Sequence, residues 1–193
     1  MKIEISKIPQ MKYEEFLRFK MKGSPNSVFN IYSLDTMGIH MESIGIWMKK
    51  IDAFPIYFCL EITDTSDFEL ICHQNSLKFE YIGEHYGSKV AILEILNSES
   101  FSVIYPLIKY IGNIEDLVFW SSRKNCFTVE KRRSQIGLFE LVTVNMNSDD
   151  ETTVFSLTQA GLTLQVYSTS PSFDSYEDLV KSLPEFTIPI NGE

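Results

Sequence analysis

The side chains able to do acid, base or nucleophilic chemistry are few and scattered along this chain, whose three histidines are His40, His73 and His85. His85 has the most chemically interesting neighbours: Glu84-His85-Tyr86 lies between Gly83 and Gly87, a flexible setting of the kind that displays functional side chains. A carboxylate touching that imidazole would orient it as the general base of a hydrolase. Consecutive side chains on extended backbone point apart, however, so Glu84 and His85 are expected to diverge and His85 to sit on an exposed turn.

Cys72 and His73 are adjacent and invite comparison with a thiolate–imidazole pair, but on a strand they face opposite sides. A zinc site would need further ligands such as Cys59 or His85, and those spacings match no zinc motif. The three cysteines, Cys59, Cys72 and Cys126, are odd in number and lack a CxxC pair, so reduced, buried thiols are expected rather than a disulfide framework or a metal site. Glu61, Asp64, Asp67 and Glu69 gather oxygen ligands near one loop, yet that loop lacks the glycine and acidic ladder of a calcium-binding loop. Turn formation accounts for those aspartates, and for Asp149, Asp150 and Glu151 at an expected hairpin tip. The sequence contains no GxGxxG, GxxxxGK[ST] or GxSxG signature, and no cofactor is expected.

One basic concentration stands out in an acidic chain. Arg123-Lys124 and Lys131-Arg132-Arg133 flank an expected strand from Cys126 to Glu130 and, converging at one end of a hairpin, would form with Trp120 and Phe127 a patch for an anionic ligand or acidic partner. Guanidinium groups suit bidentate contacts and aromatics suit stacking. Without a glycine-rich cradle, such charges more often line a solvated turn. Trp47 and Trp120 are expected as core or interface anchors.

The elements that must position these residues are mostly strands. After a short strand at Lys2–Ile5, a helix is expected from Pro9, with Tyr13, Phe16, Leu17 and Met21 on one face and Gly23 as its stop. Runs at Val28–Leu34, Ile39–Met48, Phe54–Ile62, Phe68–Cys72, Leu77–Ile82 and Val90–Leu96 have the spacing of an antiparallel meander. The Phe54–Ile62 run is apolar on both faces except for Glu61 and should be central. Phe101, Ile104, Tyr105, Ile108 and Ile111 define a second helix, capped by Ser100 and ended by Gly112, with its regular part beginning near Pro106. Strands follow at Leu117–Ser121, Cys126–Lys131, Leu138–Asn145, Thr153–Leu157 and Leu162–Tyr167, with a hairpin turn at Asn147–Asp150. Asp174–Leu183 is a third helix, with Asp174 and Glu177 as a capping pair, and Phe186–Ile190 is a last strand pairing with a sheet edge.

The fold class is therefore α+β: predominantly antiparallel sheet with about three helices packed on it. The chain is expected to form a single compact domain over residues 1–193, with two similar β-rich halves, 1–112 and 113–193, as the alternative organisation. A hydrophobic fraction of 44% and an aromatic fraction of 13% supply a core. Seventeen basic against twenty-six acidic residues leave a formal charge of −9, which disfavours nucleic acid and anionic lipid. No stretch approaches the roughly 18 apolar residues of a membrane span and the first residues lack an apolar leader core, so cytoplasmic residence is expected. The charge, the aromatics and the sparse chemistry favour a non-enzymatic binding protein that docks a protein partner of basic character. Small acidic bacterial immunity proteins, inhibitors and adaptors share this general character. An anionic-ligand receptor built on Arg123, Arg132 and Arg133 is the second expectation and a hydrolase using His85 the third, while unpaired sheet edges leave room for a homodimer.

Overall fold

Alternation along Ile56–Ile62 places Ile56, Phe58, Leu60 and Ile62 on one face of a strand and Cys59 and Glu61 on the other, and all six side chains are buried. A strand buried on both faces must lie inside a layered structure. The computed structural model describes residues 1–8, 19–34, 40–85, 87–113, 117–134, 137–146, 151–158 and 162–192. Its elements are β1 (Lys2–Lys7), β2 (Lys20–Lys22), β3 (Ser27–Ser33), α1 (Met41–Lys50), β4 (Ile56–Ile62), α2 (Thr65–Gln74), β5 (Lys78–His85), β6 (Ser88–Ile95), α3 (Ser98–Asn113), β7 (Val118–Ser121), β8 (Phe127–Ser134), β9 (Gly137–Asn145), β10 (Thr153–Thr158), β11 (Thr163–Ser168), α4 (Tyr176–Ser182) and β12 (Ile188–Asn191).

Nine strands form one sheet in the order β12-β1-β3-β11-β10-β7-β4-β6-β5, and β2-β9-β8 form a second, smaller sheet. Within the large sheet β12 pairs with β1 in parallel and every other neighbouring pair is antiparallel. The fold is α+β with predominantly antiparallel sheet, as expected. Strands from residues 1–112 and from 113–193 alternate in blocks across the large sheet. The strand-helix-strand order from Val90 to Trp120 is a crossover: β6 and β7 both lie antiparallel to β4, on either side of it, and are joined by α3.

Three layers result. One face of the large sheet carries Phe29, Phe58, Leu93, Trp120, Phe155 and Val166 and packs beneath the four α-helices. The other carries Val28, Cys59, Ile92, Phe119, Val154 and Tyr167 and packs on Phe127, Val142 and Val144 of the small sheet. The helix-side core is aromatic at its centre: Trp120 stacks on Phe155 with ring centroids 5.4 Å apart and 10° between planes, while Phe58 lies 5.3 Å from Trp120 on its other flank.

Two expected strands are helices. Ile39–Met48 overlaps α1, where Ile44, Trp47 and Met48 form the buried stripe, Glu42 lies in the first turn and Lys49 and Lys50 in the last. Phe68–Cys72 lies in α2, whose N-cap is Asp64: its Oδ1 accepts from the N–H groups of Ser66 at 3.0 Å and Asp67 at 3.2 Å. Asp64, read as a turn former, therefore caps a helix with Asp67 in its first turn, and the meander is broken by two helical segments. In α3 the cap is Asn97, which accepts from Ser100 at 2.9 Å, rather than Ser100 itself. The helix runs through Pro106, which lies on its exposed side, where water can satisfy the Ser102 carbonyl that a proline cannot bond. Ser175, not Asp174, caps α4.

The helix expected from Pro9 falls mostly outside the described residues, and Met21, assigned to its apolar face, lies in β2. The turn residues Asn147–Asp150 are likewise outside them. The strands on either side of that turn do not make a hairpin, because β9 belongs to the small sheet and β10 to the large one. At the sheet edge, Ile188 and Gly192 donate to the carbonyls of Met1 and Ile5, so Pro189 faces outward, where its missing N–H leaves nothing unpaired.

α1 crosses α3 at Gly45, where a Cβ would stand 2.9 Å from Cδ1 of the buried Phe101 ring. Helix propensity alone favours Gly45→Ala by about 1 kcal/mol, but overpacking against a ring that cannot retreat costs about 1–3 kcal/mol. Gly45→Ala is therefore expected to leave stability unchanged or lower it by up to about 2 kcal/mol, and Gly45→Val to lower it further, as read by urea denaturation.

Candidate functional site

The residues singled out for chemistry are not brought together. Glu84 and His85 end β5 at its hairpin with β6, His85 opposite Ser88 in the ladder. The side chain of His85 is outside the described residues. Glu84 is exposed, and its carboxylate binds the ammonium of Lys89 at 2.5 Å, which holds it below the ordinary carboxylate range. Its backbone N–H donates to Glu140 at 2.7 Å. Cys72 and His73 occupy successive positions of α2, with Cys72 in the core and His73 exposed, edge-on to Phe79 at 5.9 Å.

The basic residues fall at opposite ends of β8. Arg123 and Lys124 precede it, Lys131, Arg132 and Arg133 lie near its far end, and at roughly 3.3 Å per residue the two groups are about 20 Å apart. Lys124 pairs with Glu80 at 2.9 Å and Lys131 with Glu140 at 3.7 Å. The side chains of Arg132 and Arg133 are outside the described residues. Trp120 is fully buried on the helix side of the large sheet, its indole N–H donating to Met48 Sδ at 3.4 Å, while β8 lies across the opposite face.

Surface character changes at the helix layer. α3 buries Phe101, Ile104, Ile108 and Ile111, and Val103, Pro106 and Tyr110 repeat the same spacing on the opposite side. Val103 is 43% exposed and Tyr110 61%, so the solvent side of α3 carries apolar groups beside Glu99 and Ser102. Grooves run along both flanks of α3. One, about 450 Å³, lies against α1 and is lined by Gly45, Ile46, Ser98, Phe101, Ser102 and Tyr105 with Glu42 and Lys49 at its rim. The other, about 360 Å³, lies against α2 and is lined by Phe68, Ile71, Leu107, Tyr110 and Ile111 with Asp64 and Asp67 at its rim. With Glu99 and Lys109 of α3 itself, the apolar ridge is bordered by four carboxylates from Glu42, Asp64, Asp67 and Glu99 against two ammonium groups.

No protein-family model, curated protein or solved structure matches this chain. Among the described residues no helix is long and apolar enough to cross a membrane.

The outward stripe was not recognised from sequence, because the period that marks Phe101, Ile104, Ile108 and Ile111 as buried also runs through Val103, Pro106 and Tyr110, and periodicity alone does not say that two opposite stripes of one helix are both apolar. Mid-helix Pro106 is the local signal, since an exposed proline in a regular helix marks the solvent side.

The thiols are held protonated. Burial pushes the Cys126 thiol up to about 12 and Cys72 to about 11, and burial, with Cys126 and Glu61 nearby, pushes Cys59 well above its ordinary value. At pH 8 none is a thiolate in the folded chain. Native protein is expected to react with a chromogenic disulfide reagent at less than about one-hundredth the rate of a free thiol, with all three cysteines titrating once the chain is unfolded in denaturant. Rapid labelling of the native protein would place a reactive thiolate where the packing excludes one.

Proposed function

We propose that this acidic chain is a binding protein that docks a basic protein partner on the outer face of α3, in the manner of an immunity protein, inhibitor or adaptor. The supporting observation is the apolar ridge of Val103, Pro106 and Tyr110 between two grooves, bordered mainly by carboxylates. α3 is about 24 Å long at 1.5 Å per residue, and the ridge from Val103 to Tyr110 occupies about 10 Å of it. Tyr110 is the natural anchor, as an aromatic side chain with a polar tip.

Charge selects the occupant. In a symmetric pair of copies the carboxylates of Glu42, Asp64, Asp67 and Glu99 would approach their own equivalents, whereas a partner rimmed with lysine and arginine would be drawn in by them and by the net charge of −9. Partner association is then expected to slow as salt rises.

A photo-crosslinking residue at position 110, with a control at Thr128 on the far layer, tests this in cells that make the protein. A stoichiometric adduct with a chain of net positive charge is expected at 110, absent at 128 and lost on Val103→Asp, a surface change that should alter stability by no more than about 0.5 kcal/mol. No adduct at 110, equal adducts at both positions, or adducts between copies of this chain would overturn the reading.

A further inference from the structure

A second concavity, about 360 Å³, opens beyond the C-terminal end of α1 and is separate from the α3 face. Its floor is the aromatic group Trp120, Phe155 and Phe173, with Met48, Ile51 and Ile56 as apolar walls. Asp52 and Glu151 stand at the mouth, both exposed, and five hydroxyl side chains complete the lining, among them Ser122, Ser170 and Ser172. Among the described residues that line it there is no basic side chain. Lys50, in the last turn of α1, is bound to the carbonyls of Lys181 and Leu183 at the end of α4.

The backbone holds both acids in an unusual conformation. Asp52 has φ +53° and Glu151 φ +40°, the left-handed region that glycine occupies without cost. Asp52 is the first residue past the cap of α1: the Ala53 N–H reaches back to the Met48 carbonyl at 2.9 Å and that of Asp52 to Lys49 at 3.2 Å, the hydrogen bonding that terminates a helix through a left-handed residue. Glycine is the usual occupant of that position. A carboxylate there accepts backbone strain and also lies at the negative end of the α1 dipole, which is the unfavourable end for an anion. Two carboxylates at the mouth of one concavity whose described lining has no basic side chain fit a site that holds a cation.

We propose that this cleft binds an alkyl guanidinium or alkyl ammonium group, its carbon stem along the apolar wall of Ile51, Ala53 and Phe173 and its charge between Asp52 and Glu151. The volume falls within the ~300–1,000 Å³ of small-ligand sites. Charge-assisted hydrogen bonds from the cation to the two carboxylates supply specificity. The same chemistry is carried by a free amine and by an arginine or lysine side chain of another protein.

Titration with agmatine, with the blocked peptide acetyl-Gly-Arg-Gly-amide and with uncharged n-butylurea, followed by tryptophan emission and by NMR, tests the assignment. Agmatine is expected to bind with a dissociation constant of about 1 mM or tighter. Equal binding of the peptide identifies a protein side chain as a fitting occupant, and binding of agmatine alone identifies a free amine; either supports the proposal. Asp52→Asn and Glu151→Gln should each weaken binding about fivefold or more. Asp52→Gly separates recognition from folding: it should weaken binding to the same degree while melting at or above the wild-type temperature, because glycine removes the left-handed strain. Val103→Asp should leave agmatine binding unchanged, so this site and the α3 face stand or fall separately. No binding of either cation, equal binding of n-butylurea, or unchanged affinity in Asp52→Gly would overturn the assignment.

Discussion

Burial of the middle strands on both faces is the constraint on which the rest of the architecture depends. β4 lies between β7 and β6, with helices over one face and the small sheet over the other, so its side chains must be apolar or paired in both directions. The one carboxylate on this strand, Glu61, is buried and accepts from the Leu117 N–H at 3.3 Å, tying the start of β7 to the strand beside it. Phe58, Trp120 and Phe155, contributed by three adjacent strands, then form the aromatic centre on which the helices rest. Because the large sheet draws strands from both ends of the chain, neither end builds this centre alone.

Much of this was legible from periodicity and turn residues. β4 is readable as a central strand because both of its faces are apolar, and β5 as a more exposed one because Phe79 and Tyr81 alternate with Lys78 and Glu80. α1 and α2 were misread for a physical reason. Ile44, Ile46 and Met48 satisfy a two-residue alternation as well as Ile44, Trp47 and Met48 satisfy a helical one, and in a ten-residue segment the two periods are hard to separate. For α2 the deciding letters were Asp64 and Asp67, which serve a turn and a helix N-terminus equally well. Sheet order was not legible, since β3 pairs with β11 through contacts more than a hundred residues apart that leave no local mark.

Candidate-site legibility follows the same division. Runs such as Lys131-Arg132-Arg133 draw attention because they are contiguous, but β8 holds them far from Arg123 and Lys124. The cleft beyond α1 collects Asp52, Trp120, Glu151, Phe155 and Ser170 from separate elements, and no spacing in the chain announces that they meet. α1 links the two surfaces: Gly45 and Ile46 line the groove beside α3, while Met48 and Ile51 line the cleft less than two turns further on.

The parallel pairing of β1 with β12 carries a consequence for biosynthesis. Lys2 is matched with Ile188 and Ile5 with Asn191, so β1 waits for a strand made nearly two hundred residues later. At ribosomal rates of about 5–20 residues per second that interval is on the order of ten seconds or more, during which the outer edge of β1 has no partner of its own. A sheet completed by so distant a pairing reaches its final form after translation has delivered both strands, and the emerging polypeptide is exposed to unwanted edge association until then.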